Sequence, residues 1–127
     1  MLQVVVAVGS LVPISAGAAG IALGPAMVDM GATPALADSH FRYLSGLLLG
    51  IGLGFITTVP RIETHAARFR LLAAIVVVGG LGRLLSLLTH GYPNPGMLFG
   101  LVMELAVTPA LALWQARVAG RAAARGT

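Results

Sequence analysis

The sequence predicts an all-α fold, an integral membrane four-helix bundle, and three observations predict it. Hydrophobic residues make up 57% of the 127 residues and charged residues only 9%, whereas a water-soluble domain carries roughly a quarter charged. The apolar residues fall into four separate stretches, each close to the roughly 20 helical residues that cross a hydrocarbon core roughly 30 Å thick. Arginines gather in alternate connections, as they do where short loops face the cytoplasm.

The first span is predicted at residues 4–23, from Val4 to Leu23, with Pro25 just beyond it. It lacks a basic leading region and runs long enough to span, so it reads as a retained helix rather than a cleaved signal. The second, 41–59, runs from Phe41 to Val59 and stops at Pro60-Arg61. The third, 71–89, runs from Leu71 to Thr89, and the turn-rich Gly91-Tyr92-Pro93-Asn94-Pro95-Gly96 separates it from the fourth, 97–114, Met97 to Trp114. A basic cytoplasmic tail, 115–127, completes a single transmembrane domain over 1–127, with Arg117, Arg121 and Arg125 on one side of a continued helix.

Orientation follows from charge. Arg61, Arg68 and Arg70 lie between the second and third spans, and Arg117, Arg121 and Arg125 follow the fourth. The other side holds Arg42, offset by Asp29 and Asp38. Both termini are therefore expected in the cytoplasm. Small residues supply the packing expected between helices in lipid: Gly46, Gly50 and Gly54 in the second span, Gly9, Pro13 and Gly17 in the first, and Gly79, Gly80 and Gly82 in the third. These stripes are expected to pack the helices within one monomer, with a homodimer face as the alternative.

Ionisable residues inside a span need a reason, because each costs several kcal/mol unless paired. Arg83 stands seven residues before His90, and Glu104 seven after Met97. At about 1.5 Å per residue both lie roughly 10 Å below the same boundary. Consecutive helices joined by a short loop are neighbours, so a buried Arg83–Glu104 salt bridge is expected. Arg42 shares the i, i+4 stripe of Gly46 and Gly50 and is expected at the mouth of the same cavity. Asp38 is placed to pair with it or to cap the helix. Thr108 lies one turn after Glu104, and Pro109 removes a backbone donor beside it. His40 completes the candidate ligand-binding set of Arg42, Arg83, Glu104, Thr108, Asp38 and His40.

Several function classes are set aside. The arginines form no patch with interleaved aromatics, so nucleic acid is not an expected partner. The chain has no cysteine, and its three histidines are too scattered to suggest a metal site, so neither metal nor cofactor is expected. No nucleophile triad or phosphate loop can be assembled, and no catalytic residue is assigned. Gly50-Ile51-Gly52-Leu53-Gly54 has the look of a nucleotide loop but lies inside an apolar span with no strand before it.

Four segments together carry a family resemblance: Asp38-Ser39-His40-Phe41-Arg42-Tyr43-Leu44-Ser45-Gly46, Thr57-Thr58-Val59-Pro60-Arg61-Ile62-Glu63, Gly79-Gly80-Leu81-Gly82-Arg83, and Met103-Glu104-Leu105-Ala106-Val107-Thr108-Pro109. Over roughly Leu36 to Gln115 the chain resembles a bacterial membrane family known as domain of unknown function 4345. The resemblance implies a small four-helix protein of the bacterial inner (plasma) membrane, with Arg42, Arg83 and Glu104 at polar positions of the family pattern, and it implies no activity. The function expected is that of a binding or accessory protein, in the lipid bilayer, with an outward-side polar pocket for a small anionic or amphipathic ligand, or a docking role as a homodimer or in a larger membrane complex. The alternatives are a small proton-coupled transporter using Glu104, against which stands a first span without charge, and an intramembrane lipid-modifying enzyme using Glu104 as acid or base.

Overall fold

A computed structural model describes residues 1–125, so Gly126 and Thr127, the end of the predicted tail, lie outside the described residues. Every regular element among the described residues is helical. Helix α1 covers Leu2–Leu23 and runs into a 3-10 turn at Gly24–Val28. Helix α2 covers Ala35–Ile56, α3 covers Ala66–His90, and α4 covers Pro95–Arg125 as one continuous rod of 31 residues. The chain divides near Val59–Pro60 into two compact units, each a helical hairpin.

In the first hairpin, α1 and α2 meet backbone to backbone. A Cβ added at Gly17 would lie 2.6 Å from the Leu49 nitrogen and 2.7 Å from the Ser45 carbonyl oxygen, and one added at Gly52 would lie 3.0 Å from the Ile14 nitrogen. The face that α2 turns to α1 is thus Ser45, Leu49 and Gly52, spaced i, i+4, i+7. This corrects the Gly46, Gly50, Gly54 stripe at its first two positions. A Cβ on Gly46 would come no nearer than 4.0 Å to Ile21, and one on Gly50 would meet nothing within 4 Å. Glycine spacing alone could not distinguish one face from its neighbour about 100° round the helix. Buried Ser10 and Ser45 bond back to the Val6 and Phe41 carbonyls, which satisfies their hydroxyls inside the apolar hairpin. Gln3 Nε2 donates to the Val59 carbonyl at 2.8 Å and ties the start of α1 to the end of this unit.

In the second hairpin, Asn94 caps α4 by accepting a bond from the Met97 N–H at 2.8 Å, and Pro95 occupies the first turn, where its missing donor costs nothing. Phe69, Ala73, Gly80 and Leu101 are buried. So is Gln115, at 0% exposure, whose Nε2 donates to the Ile62 carbonyl at 3.0 Å and fastens the chain entering α3 to α4. Gln115 is therefore a structural tether and not the start of a solvated tail, and α4 stays helical through Arg125.

Three helical segments are long and apolar enough to cross a membrane: Leu2–Val28, Ala66–His90 and Pro95–Arg125. Of the four predicted spans, the second falls outside this group. Helix α2 begins at Ala35 rather than Phe41, because Pro34 and the helix-forming Ala35-Leu36-Ala37 start it early. Asp38, His40 and Arg42 then fall inside the helix and lower its hydropathy. It ends at Ile56 rather than Val59, since the Thr57 and Thr58 hydroxyls bond to the Gly54 and Phe55 carbonyls and close a turn.

Candidate functional site

The second hairpin brings Arg83 and Glu104 together. Arg83 Nε donates to Glu104 Oε2 at 2.9 Å and Nη2 donates to Oε1 at 3.0 Å, a two-pronged pairing of planar guanidinium and carboxylate. Gly80 makes room for it. A Cβ there would lie 2.8 Å from Glu104 Cβ and 2.7 Å from Leu105 Cδ2, so α4 lies against α3 one turn from the pair. Gly100 faces the guanidinium without being required by it, since a Cβ there would lie in ordinary van der Waals contact, 3.7 Å from Arg83 Cζ.

Glu104 stands at the head of a π-helical turn, Met103–Val107, set between the two α-helical parts of α4. Pro109 explains the turn. In a regular α-helix its ring would press on the Leu105 carbonyl, and a wider turn relieves that clash. The Thr108 N–H reaches back five residues to the Met103 carbonyl, and the Thr108 hydroxyl donates to the same oxygen at 2.8 Å. Thr108 thus secures the π turn, and its hydroxyl is engaged by the backbone.

The expected burial of this salt bridge is corrected by the structure. The Arg83 side chain is 32% exposed and Glu104 14%, because a hairpin of two helices encloses the pair from one side only. What completes Arg83 is Met97, whose sulfur accepts from Nη1 at 2.7 Å. A thioether is a weak acceptor, so one edge of the guanidinium is poorly satisfied. That edge opens on a shallow cleft lined by Arg83, Leu87, Pro93, Met97, Leu98 and Leu101, with about 10 Å³ of free space, room for one water molecule while Met97 stays in place. Its walls are mostly apolar.

The first hairpin carries the other ion pair. Arg42 Nε donates to Asp38 Oδ2 at 2.9 Å and Nη2 to Asp38 Oδ1 at 3.2 Å. Its Nη1 donates to the Ile21 carbonyl, and to that of Ala22 at 3.2 Å. These carbonyls belong to the last turn of α1, where they lack helical partners and a cation is favoured. Gly24 ends that helix with φ of 62°, and a Cβ there would lie 2.6 Å from Arg42 Nη2. Glycine is thus required both for the conformation and for the approach of the guanidinium. Asp38 does not cap α2; it orients Arg42. His40 is exposed, with its ring centroid 6.4 Å from that of Tyr43. No group of three or more metal-ligating side chains gathers among the described residues.

The sequence-predicted residues therefore form two neutral pairs, Asp38–Arg42 in the first unit and Arg83–Glu104 in the second. Sequence reasoning passed over Met97, Asn94 and Gly100. The Asn94-Pro95 dipeptide before an apolar run is a helix-start signal that could have found the cap. No signal in a single sequence pointed to the methionine.

The model of the family described as domain of unknown function (DUF4345) matches residues 1–115, which takes in the whole of α1 and extends the resemblance toward the start of the chain. No curated protein matches the chain, and neither does any solved structure.

Proposed function

We propose that this chain, which belongs to the DUF4345 family, is a multi-pass inner-membrane protein of bacteria that binds a small amphipathic molecule at Arg83. The observation that supports this reading is the poorly satisfied edge of the Arg83 guanidinium. Glu104 holds two of its nitrogens, while the third donates to a methionine sulfur beside an apolar cleft. A carbonyl or phosphoryl oxygen is a stronger acceptor than a thioether, and an unbranched methionine side chain swings aside readily. The ligand's oxygen would take the place of Met97 Sδ, and its apolar part would lie along Leu87, Leu98 and Leu101.

Because Glu104 already neutralises Arg83, the site favours an amphipathic molecule with a polar oxygen over a free anion. With α2 as a fourth crossing despite its polar first turns, the alternating arginine distribution supports both termini in the cytoplasm, which would put the Gly91–Asn94 connection and the Arg83 cleft in the outer half of the bilayer.

Native mass spectrometry of the full chain released from a mild detergent tests the binding role. An added mass carried by the wild type and absent from Arg83→Gln is expected. Equal adducts on both proteins would rule Arg83 out as the anchor.

A further inference from the structure

The far end of the second hairpin holds a second polar surface, and the geometry points to it as a docking site for the phosphate head group of an anionic phospholipid. Helix α4 runs on past its apolar part, and Trp114, Val118, Arg121 and Arg125 fall on one face at i, i+4, i+7 and i+11. Trp114 is 36% exposed, as expected of an aromatic at the membrane boundary. Val118 continues the apolar strip, and the two arginines follow about 10 and 16 Å further along the axis. Helical side chains lean toward the N-terminus of their helix, which for α4 tilts both guanidinium groups back toward Trp114 and the lipid.

The arginines share an open groove with Glu63, Val118 and Ala122, with about 520 Å³ of space, wide enough for a head group and the first carbons of its chains. Among the described residues neither arginine has a carboxylate within ion-pair distance; the ion pairs Asp38–Arg42 and Arg83–Glu104 lie elsewhere. Among the described residues Glu63 is the one acidic side chain of the lining, set against two arginines. Gln115 holds this arrangement in place by fastening Ile62, the neighbour of Glu63, to α4. Arg61 and Arg70 are exposed elsewhere on this unit and outside the groove, which separates a defined site from a general basic end.

Trp114 is the only tryptophan in the chain and reports on its own surroundings. Full-length protein in neutral detergent is titrated with phosphatidylglycerol brominated on its chains, and in parallel with brominated phosphatidylcholine, while Trp114 quenching is followed. Preferential quenching by the anionic lipid is expected. Arg121→Gln with Arg125→Gln should weaken it roughly 30-fold, at the usual increment per basic residue, while Arg121→Lys with Arg125→Lys should keep most of it. Arg61→Gln with Arg70→Gln should leave the preference in place, and Glu63→Gln should tighten it. The proposal is overturned if the Arg121/Arg125 glutamine variant keeps its preference, if the Arg61/Arg70 variant loses it equally, or if free glycerol phosphate competes fully at the same concentration. Circular dichroism of each variant shows that the helices are retained.

Discussion

Replacing Glu104 by glutamine removes one charge and about two heavy-atom contacts' worth of chemistry from the second hairpin, and its cost can be worked from the geometry. The carboxylate accepts from Arg83 at 2.9 and 3.0 Å. A glutamine keeps one acceptor and turns an amide N–H toward the other donor, so one charge-assisted hydrogen bond is lost, worth about 1.5–3 kcal/mol. A fully buried arginine left alone would cost about 3–5 kcal/mol, but Arg83 is 32% exposed and relieves part of that. The expected destabilisation is about 2–3 kcal/mol. Reversible unfolding in mixed micelles measures it, best as a cycle with Arg83→Gln and the double variant. Because each single change leaves a partner unpaired, the double variant should cost about 1.5–2 kcal/mol less than the sum of the singles. A cost for Glu104→Gln below about 0.5 kcal/mol with no coupling is what a solvent-exposed pair gives, and it would refute the reasoning.

Three further outcomes follow from the packing and the topology. Gly80→Ala should destabilise by about 1–3 kcal/mol, since the added methyl meets Glu104 Cβ and Leu105, whereas Gly79→Ala, with open space around it, should be neutral or stabilise by about 0.5 kcal/mol through helix propensity; thermal unfolding of the pair compares them. Gly17→Ala should cost more than Gly50→Ala by about 2 kcal/mol, because only the former drives a methyl into the Leu49 backbone, and equal effects would reinstate the Gly50 stripe as the packing face. In a chain without cysteine, Tyr92→Cys should react with a membrane-impermeant maleimide on intact cells and Ala67→Cys only after lysis; the reverse pattern would invert the topology.

The parts of this molecule that were legible in its sequence are those set by composition and by unlike charges at equal depth. The apolar stretches placed α1 to within two residues and the start of α4 likewise, although α3 begins five residues earlier than expected and α4 runs on to Arg125, and the symmetric spacing of Arg83 and Glu104 about one short connection predicted their meeting. What could not be read depends on rotation about a helix axis or on a local departure from regular geometry. Choosing Ser45 and Leu49 over Gly46 and Gly50 is a matter of one residue of register. Pro109 signalled a bend, yet its form, a π turn secured by Thr108, emerges only from the backbone. Arg42 is expected at a cavity mouth because it shares the i, i+4 stripe of Gly46 and Gly50, whereas its guanidinium engages Asp38 and the carbonyls at the end of α1. The enclosure of Gln115 was equally illegible, because a polar residue two positions before Arg117 gives no sign of the Ile62 carbonyl that it meets.

The measurement that tests the central claim most directly is the solid-state nuclear magnetic resonance contact between the Arg83 guanidinium nitrogens and the Glu104 carboxyl carbon in protein reconstituted into lipid bilayers, with magnetisation transferred from either the acyl chains or the water. A direct nitrogen–carboxyl contact, reached sooner from acyl-chain protons than from bulk water, is the predicted result; a guanidinium with no carboxyl contact, or one filled first from bulk water, would contradict the account of a paired polar site within the membrane.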